Sequence, residues 1–158
     1  MAYVSTGPSA SDSGAGCFLC DAGQGRNDEQ SLVVDRDELT FTLLNRYPYS
    51  SGHLMVVPLR HAPDLVSLTT AEGAAVFAAT QRAIQALTDA MHPGGFNIGI
   101  NQGAVAGASV EHIHLHVVPR WGGDTNFMPV LADVKVLPEH LESTAANLRA
   151  AFDRLRPL

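Results

Sequence analysis

The sequence is poor in charge, in cysteine and in long apolar runs. Only 16% of its 158 residues are charged, and ten Lys and Arg stand against sixteen Asp and Glu. The net charge is −6 with histidine neutral. Such a balance excludes broad, sequence-independent binding to polymeric nucleic acid, which needs a basic surface. It leaves room for a small anionic ligand held by local donors. No apolar run is long enough to cross a bilayer. No charged n-region followed by an apolar stretch marks a signal peptide. No membrane partner is expected, and a cytoplasmic location follows by default. Only two cysteines occur, Cys17 and Cys20. In a cytosolic chain a C-x-x-C pair points to metal ligation or redox chemistry before it points to a structural disulfide. Repeats are absent too. The length and the 46% hydrophobic content describe one ordinary globular domain.

What is present divides cleanly. Residues 1–16 are rich in Ser, Gly, Ala and Thr. They cannot bury enough surface to offset their ordering entropy, so they read as a disordered arm. Residues 21–30 are polar and Gly-containing, a loop. The apolar runs 31–35 and 39–45, divided by the charged residues 36–38, read as a hairpin. The cluster Tyr47-Pro48-Tyr49-Ser50-Ser51-Gly52 is a turn, and 53–57 is a third strand stopped by Pro58. Thr69 and Glu72 have capping-box spacing. From there an Ala-rich helix runs to about His92, with Phe77, Ile84, Leu87 and Met91 on one face. Pro93-Gly94-Gly95 stops it. Residues 96–102 form a strand whose Gly99 implies close approach of backbone or ligand. Residues 103–109 are small and flexible. A second helix starts at Pro138, with Leu141, Ala145, Leu148, Phe152 and Leu155 as its apolar stripe. Strands around one long helix, with another at the end, give an α+β domain with an antiparallel sheet.

The chemistry concentrates in Glu111-His112-Ile113-His114-Leu115-His116-Val117-Val118. Histidines at i, i+2 and i+4 share one face of a strand, about 7 Å apart, while Ile113, Leu115 and Val117 face a core. Four readings fit. The rings could satisfy packing alone. They could hold a catalytic zinc as a three-histidine set, although the adjacent Glu111 falls on the other face. A neutral imidazole could attack phosphorus and form a covalent intermediate, with neighbours fixing its tautomer and neutralising phosphate oxygens. The same donors could also bind a nucleotide without catalysis.

This pattern resembles the His-φ-His-φ-His-φ-φ signature of the histidine triad (HIT) superfamily of nucleotide hydrolases and transferases. The stretches Leu43 to Pro48 and Gly52 to Pro58 are similar to that family's nucleoside-binding segment, and Asn101, Gly103 and residues 106–110 to its phosphate loop. The stretch 119–128 resembles a bacterial branch containing diadenosine-polyphosphate phosphorylases and hydrolases. His116 in the third position, rather than Gln, sets the chain apart from the uridylyltransferase-like branch.

The resemblance covers residue 17 to the end and implies one HIT domain over 17–158. It implies a five-stranded antiparallel sheet with two helices, and a homodimer joining two such sheets. It implies an enzyme that cleaves dinucleoside polyphosphates or related nucleotide conjugates through a nucleotidyl-histidine. Phosphorolysis of diadenosine tetraphosphate, hydrolysis of a purine nucleoside phosphoramidate and non-catalytic nucleotide sensing are its alternatives. His114 is the implied nucleophile and His116 its phosphate-binding partner, with the His112 carbonyl orienting the His114 ring. Asn101, Gly107 and Ser109 are implied phosphate contacts. Asn45 is implied at the ribose, although Asn also simply favours turns. His53 borders the site, and Trp121 is implied at the substrate. Some family members join a C-x-x-C to two histidines. Those positions here are Cys17, Cys20, His61 and His112, the implied ligands of a structural zinc. No organic cofactor is expected.

Overall fold

A computed structural model describes residues 16–25, 27–124 and 140–156. The disordered arm expected over 1–16 lies outside these residues except for Gly16. The expected helix start at Pro138 and the motif residues 125–128 lie outside them entirely.

Five strands form one antiparallel sheet: β1 (Val33–Arg36), β2 (Thr40–Leu44), β3 (Leu54–Pro58), β4 (Gly95–Gly99) and β5 (Leu115–Arg120), in the order β1-β2-β3-β5-β4. This is the architecture implied by the family resemblance. The hairpin expected around the charged turn is the β1–β2 pair, and Pro58 ends β3 as expected. Two short helices come first, α1 (Phe18–Gly23) and α2 (Asp28–Ser31). Two longer ones, α3 (Thr70–Met91) and α4 (Leu141–Leu155), cover one face of the sheet.

The capping box holds as spaced. The Thr69 hydroxyl accepts from the Glu72 N–H, and the Glu72 carboxylate accepts from the Thr69 N–H. The same carboxylate receives a two-pronged bond from Arg60, both contacts at 2.7 Å. The Arg60 guanidinium and the Thr69 donors hold Glu72 down to about 2, against an ordinary 4.5. A carboxylate depressed in the fold stabilises above its unfolded value and loses that contribution as pH falls through its folded one. Glu72→Gln should therefore lower the melting temperature by roughly a few degrees at pH 7. The gap from wild type should close between pH 4.5 and 2, as followed by calorimetry.

The buried face of α3 differs from the expectation. Val76, Ala79, Thr80, Ala83, Ala86 and Leu87 are buried, whereas Phe77 is 65% exposed. The stripe lies one residue, or about 100°, round the helix from Phe77. Alanines on the inward face let α3 lie close on the sheet and against α4. A face led by Phe77 would hold it farther away. Ile84 and Met91 still reach the core from the flank. The α4 stripe is as expected, with Ala145, Leu148 and Phe152 buried and Leu141 and Leu155 at its edges.

The opposite face of the sheet is also covered. Cys17, Leu19 and Ala22 form a second core with Val33, Phe41, Leu43, Met55 and Val57. The loop expected from residue 21 is thus partly helix. Every residue of β2 and β3 is buried. Burial at consecutive positions, with β3 apolar throughout and Thr40 and Thr42 enclosed in β2, marks strands covered on both sides.

Candidate active site and metal centre

The histidine segment is only partly strand. The expected strand from His112 begins at Leu115, where the pairing with Val56 of β3 ends, one residue beyond the last β4 pair, Gly99–His116. His112 lies in a bend ahead of the strand, and the segment is held where the Ile113 N–H donates to the Ala62 carbonyl at 2.7 Å. Side-chain alternation persists. Leu115 and Val117 join the helix-side core. His116 pairs with Met55 in register, on the side of the α1 core. His112, His114 and His116 are all buried, and the His114 and His116 rings lie 4.8 Å apart, edge to face.

Hydrogen bonds assign each ring a tautomer. His114 Nδ1 lies 2.8 Å from the His112 carbonyl oxygen. A carbonyl only accepts, so Nδ1 carries the proton and Nε2 keeps its lone pair. Burial holds His114 below the ordinary histidine value of 6.5, which keeps that lone pair available at neutral pH. His53 Nδ1 accepts from the Tyr49 N–H at 3.0 Å, with the Asn45 amide 3.5 Å away. Two donors at one nitrogen place the His53 proton on Nε2. That nitrogen donates to His116 Nδ1 at 2.9 Å. His116 is therefore protonated on Nε2 and presents a donor beside the His114 nucleophile. Burial, then His114, pushes His116 down to about 4, so it acts as a neutral donor.

His112 faces the other way. Its Nε2–H donates to the Pro58 carbonyl at 3.0 Å. Its Nδ1 lies 3.6 Å from Cys17 Sγ and 3.5 Å from Cys20 Sγ. His61 Nδ1 lies 3.3 Å from Cys20 Sγ. All four ligand atoms fall within 4.8 Å of one another. Tetrahedral zinc bonds of about 2.3 Å to sulfur and 2.0–2.1 Å to nitrogen set those ligands about 3.6 Å apart. The three sulfur–nitrogen distances fit that cage. Burial and the neighbouring Cys17 push the Cys20 thiol up to about 11, so a neutral Cys20 thiol faces the imidazoles unless a cation draws off its proton. The Pro58 carbonyl is the outer partner that a metal-bound imidazole requires.

The remaining expected residues are placed unequally. Asn101 follows the end of β4, two residues beyond the Gly99–His116 pair. Gly107, at φ +91°, turns the loop back so that a Cβ there would sit 3.6 Å from Asn101 Nδ2. Ser109 is exposed on the same loop. Asn45 forms an Asx turn, its oxygen accepting from the Tyr47 N–H at 2.9 Å. That leaves one amide hydrogen and one lone pair for any ligand. Trp121 follows the far end of β5. Seven residues of extended chain separate it from His114, roughly 23 Å, so one protomer does not bring the two together. Sequence reasoning missed Tyr49, Pro58 and Ala62. All three act through backbone atoms, and Tyr49 also rests its ring 4.7 Å from that of His53. The turn cluster around Pro48 was the only signal for the first.

Residues 26–123, more than half of the chain, match the HIT domain family. The chain belongs to the HIT family. It is 47% identical over 129 residues to an AP-4-A phosphorylase of Mycobacterium tuberculosis, a match spanning 81% of this chain and 66% of that protein. It is 30% identical over 122 residues to the bis(5'-nucleosyl)-tetraphosphatase (asymmetrical) of Schizosaccharomyces pombe, spanning 77% and 64%. The chain thus matches just under two thirds of these relatives' length. The fold is similar to that of a zinc-bound histidine triad protein from Mycobacterium smegmatis, with a TM-score of 0.74 and 32% identity over 89% of this HIT chain and 96% of that one. No helix among the described residues is long and apolar enough to cross a membrane.

Proposed function

We propose that this HIT protein cleaves dinucleoside polyphosphates through a covalent nucleotidyl-His114. The observation that carries the reading is the tautomer pair. His114 Nδ1–H is tied to the His112 carbonyl, which aims the Nε2 lone pair, and His116 presents its Nε2–H beside it. In the first step Nε2 of His114 bonds to the α-phosphorus. The bond from that phosphorus to the bridging oxygen breaks, and the remaining nucleoside polyphosphate departs with the electron pair. His116 donates to a phosphate oxygen as charge builds, and Asn101, Gly107 and Ser109 cradle the others. In the second step an acceptor oxygen attacks the same phosphorus and the nitrogen–phosphorus bond breaks. Asn45 holds a ribose hydroxyl with its remaining donor and acceptor.

The higher identity to the AP-4-A phosphorylase favours orthophosphate as the acceptor. With diadenosine tetraphosphate that route gives ADP and ATP, whereas water gives AMP and ATP. Product analysis with and without phosphate decides it. Equal AMP under both conditions makes the protein a hydrolase.

Zinc is the metal this reading places on Cys17, Cys20, His61 and His112. When bound it supplies a rigid tetrahedral link with no redox chemistry. The four residues then fasten α1 to the catalytic segment. We read residues 17–158 as one domain, working in the cytoplasm as a homodimer. Support for the dimer comes from β4, an outer strand with Ile98 half exposed, and from the distance of Trp121, which reaches a catalytic site only at a substrate's far end or from a second copy.

A further inference from the structure

One residue touches both centres. The His112 side chain points Nδ1 at the two cysteine sulfurs, while its own carbonyl receives the His114 Nδ1–H. This segment lies outside the sheet ladder. Its backbone is tied to the fold by the bond from the Ile113 N–H to the Ala62 carbonyl. The His112 carbonyl shares one planar peptide with that N–H, so its position depends on Ala62, the neighbour of the cage residue His61, together with the anchoring of the His112 ring. The Pro58 carbonyl on Nε2 and the Cys17–Cys20–His61 cage around Nδ1 anchor that ring. The cage stands in turn on α1, a helix of six residues that is too short to hold itself without tertiary partners.

Resting on the reading of His114 as nucleophile, we propose that zinc loading of this cage sets the tautomer and aim of the His114 ring. His112 is then a positioning residue, and the metal controls nucleophile competence in addition to fold stability. With the cage filled, His112 Nδ1 is committed to the metal, its Nε2–H to Pro58 and its carbonyl to His114. With the cage empty, Nδ1 faces two thiols, the ring can shift, and the carbonyl moves off the His114 Nδ1–H. His114 then populates the other tautomer, in which Nε2 carries the proton and has no lone pair to offer.

The test uses the full chain at fixed pH, loaded with zinc and then stripped by a chelator. Ring-nitrogen NMR of His114 reports the tautomer without any substrate. Single-turnover labelling by diadenosine tetraphosphate reports competence. Loaded protein should show a protonated Nδ1 and a bare Nε2. Stripped protein should show mixed tautomers and label roughly 10–100-fold more slowly, and added zinc should restore both. Should stripping unfold the chain, His61→Ala weakens the cage from its partly exposed edge, and a zinc titration then follows the same signals within a folded protein. The proposal is overturned if folded, zinc-free protein keeps the protonated Nδ1 and the loaded labelling rate. Loaded protein that shows the expected tautomer yet never labels would overturn the nucleophile reading instead, and the zinc dependence of the ring signals would still decide the coupling.

Discussion

His114→Ala leaves a protein that folds but no longer turns over diadenosine tetraphosphate. The loss in kcat is expected at roughly 10⁴–10⁶-fold, because removing a covalent nucleophile removes the whole two-step route. The fold should survive. His114 contributes one side-chain bond, to the His112 carbonyl, and a neutral bond of this kind stabilises by about 1 kcal/mol. A melting temperature within several degrees of wild type, paired with lost turnover in a coupled nucleotide assay, is the predicted result. Turnover within tenfold of wild type would mean that another group attacks phosphorus.

His53→Leu should give the second largest effect, although His53 touches no phosphate in this reading. His53 is fully buried and passes the orientation of the Tyr49 N–H to His116. Leucine fills most of the space but neither accepts from Tyr49 nor donates to His116. His116 Nδ1 then loses its donor, and the tautomer with a proton on Nε2 is no longer enforced. A fall in kcat of about 10²–10³-fold with little change in KM is expected, in line with the loss of a positioned proton donor. His53→Gln is the discriminating control. Its carboxamide offers one acceptor and one donor, so it should recover part of the rate, whereas a purely space-filling role predicts no advantage for Gln over Leu. Steady-state kinetics on both variants separates the two accounts.

Much of this architecture was legible because local chemistry and global fold agree. Thr69 and Glu72 announced the start of α3, and the spacing of Leu141, Ala145, Leu148, Phe152 and Leu155 gave the α4 face. The histidine triplet led to the right family. Other features were hidden for identifiable reasons. The spacing of Phe77, Ile84, Leu87 and Met91 points to a face turned from the buried one, because the inward face of α3 is built from Ala79, Ala83 and Ala86. The short α1 carries too few residues for a periodic signal, and its place is set by contacts with Phe41, Met55 and Val57 that lie far along the chain. The unbroken apolar run of β3 held the clue that something must cover its second face. The division of labour among the three histidines follows from carbonyls and an N–H, at Pro58, His112 and Tyr49. The motif pointed to the His112 carbonyl, whereas the Pro58 carbonyl and the Tyr49 N–H are backbone groups of a kind found all along the chain, which no motif marks.

Trapping the covalent intermediate tests the central claim most directly. Wild-type protein is mixed with diadenosine tetraphosphate in the absence of phosphate, quenched within the first turnover under conditions that preserve phosphoramidates, and digested for mass spectrometry. The account predicts a peptide spanning His114 that is heavier by one adenylyl group, formed at least as fast as product and lost when orthophosphate is added. Product formation with His114 unmodified at every time point, or with the label on another residue, would contradict it.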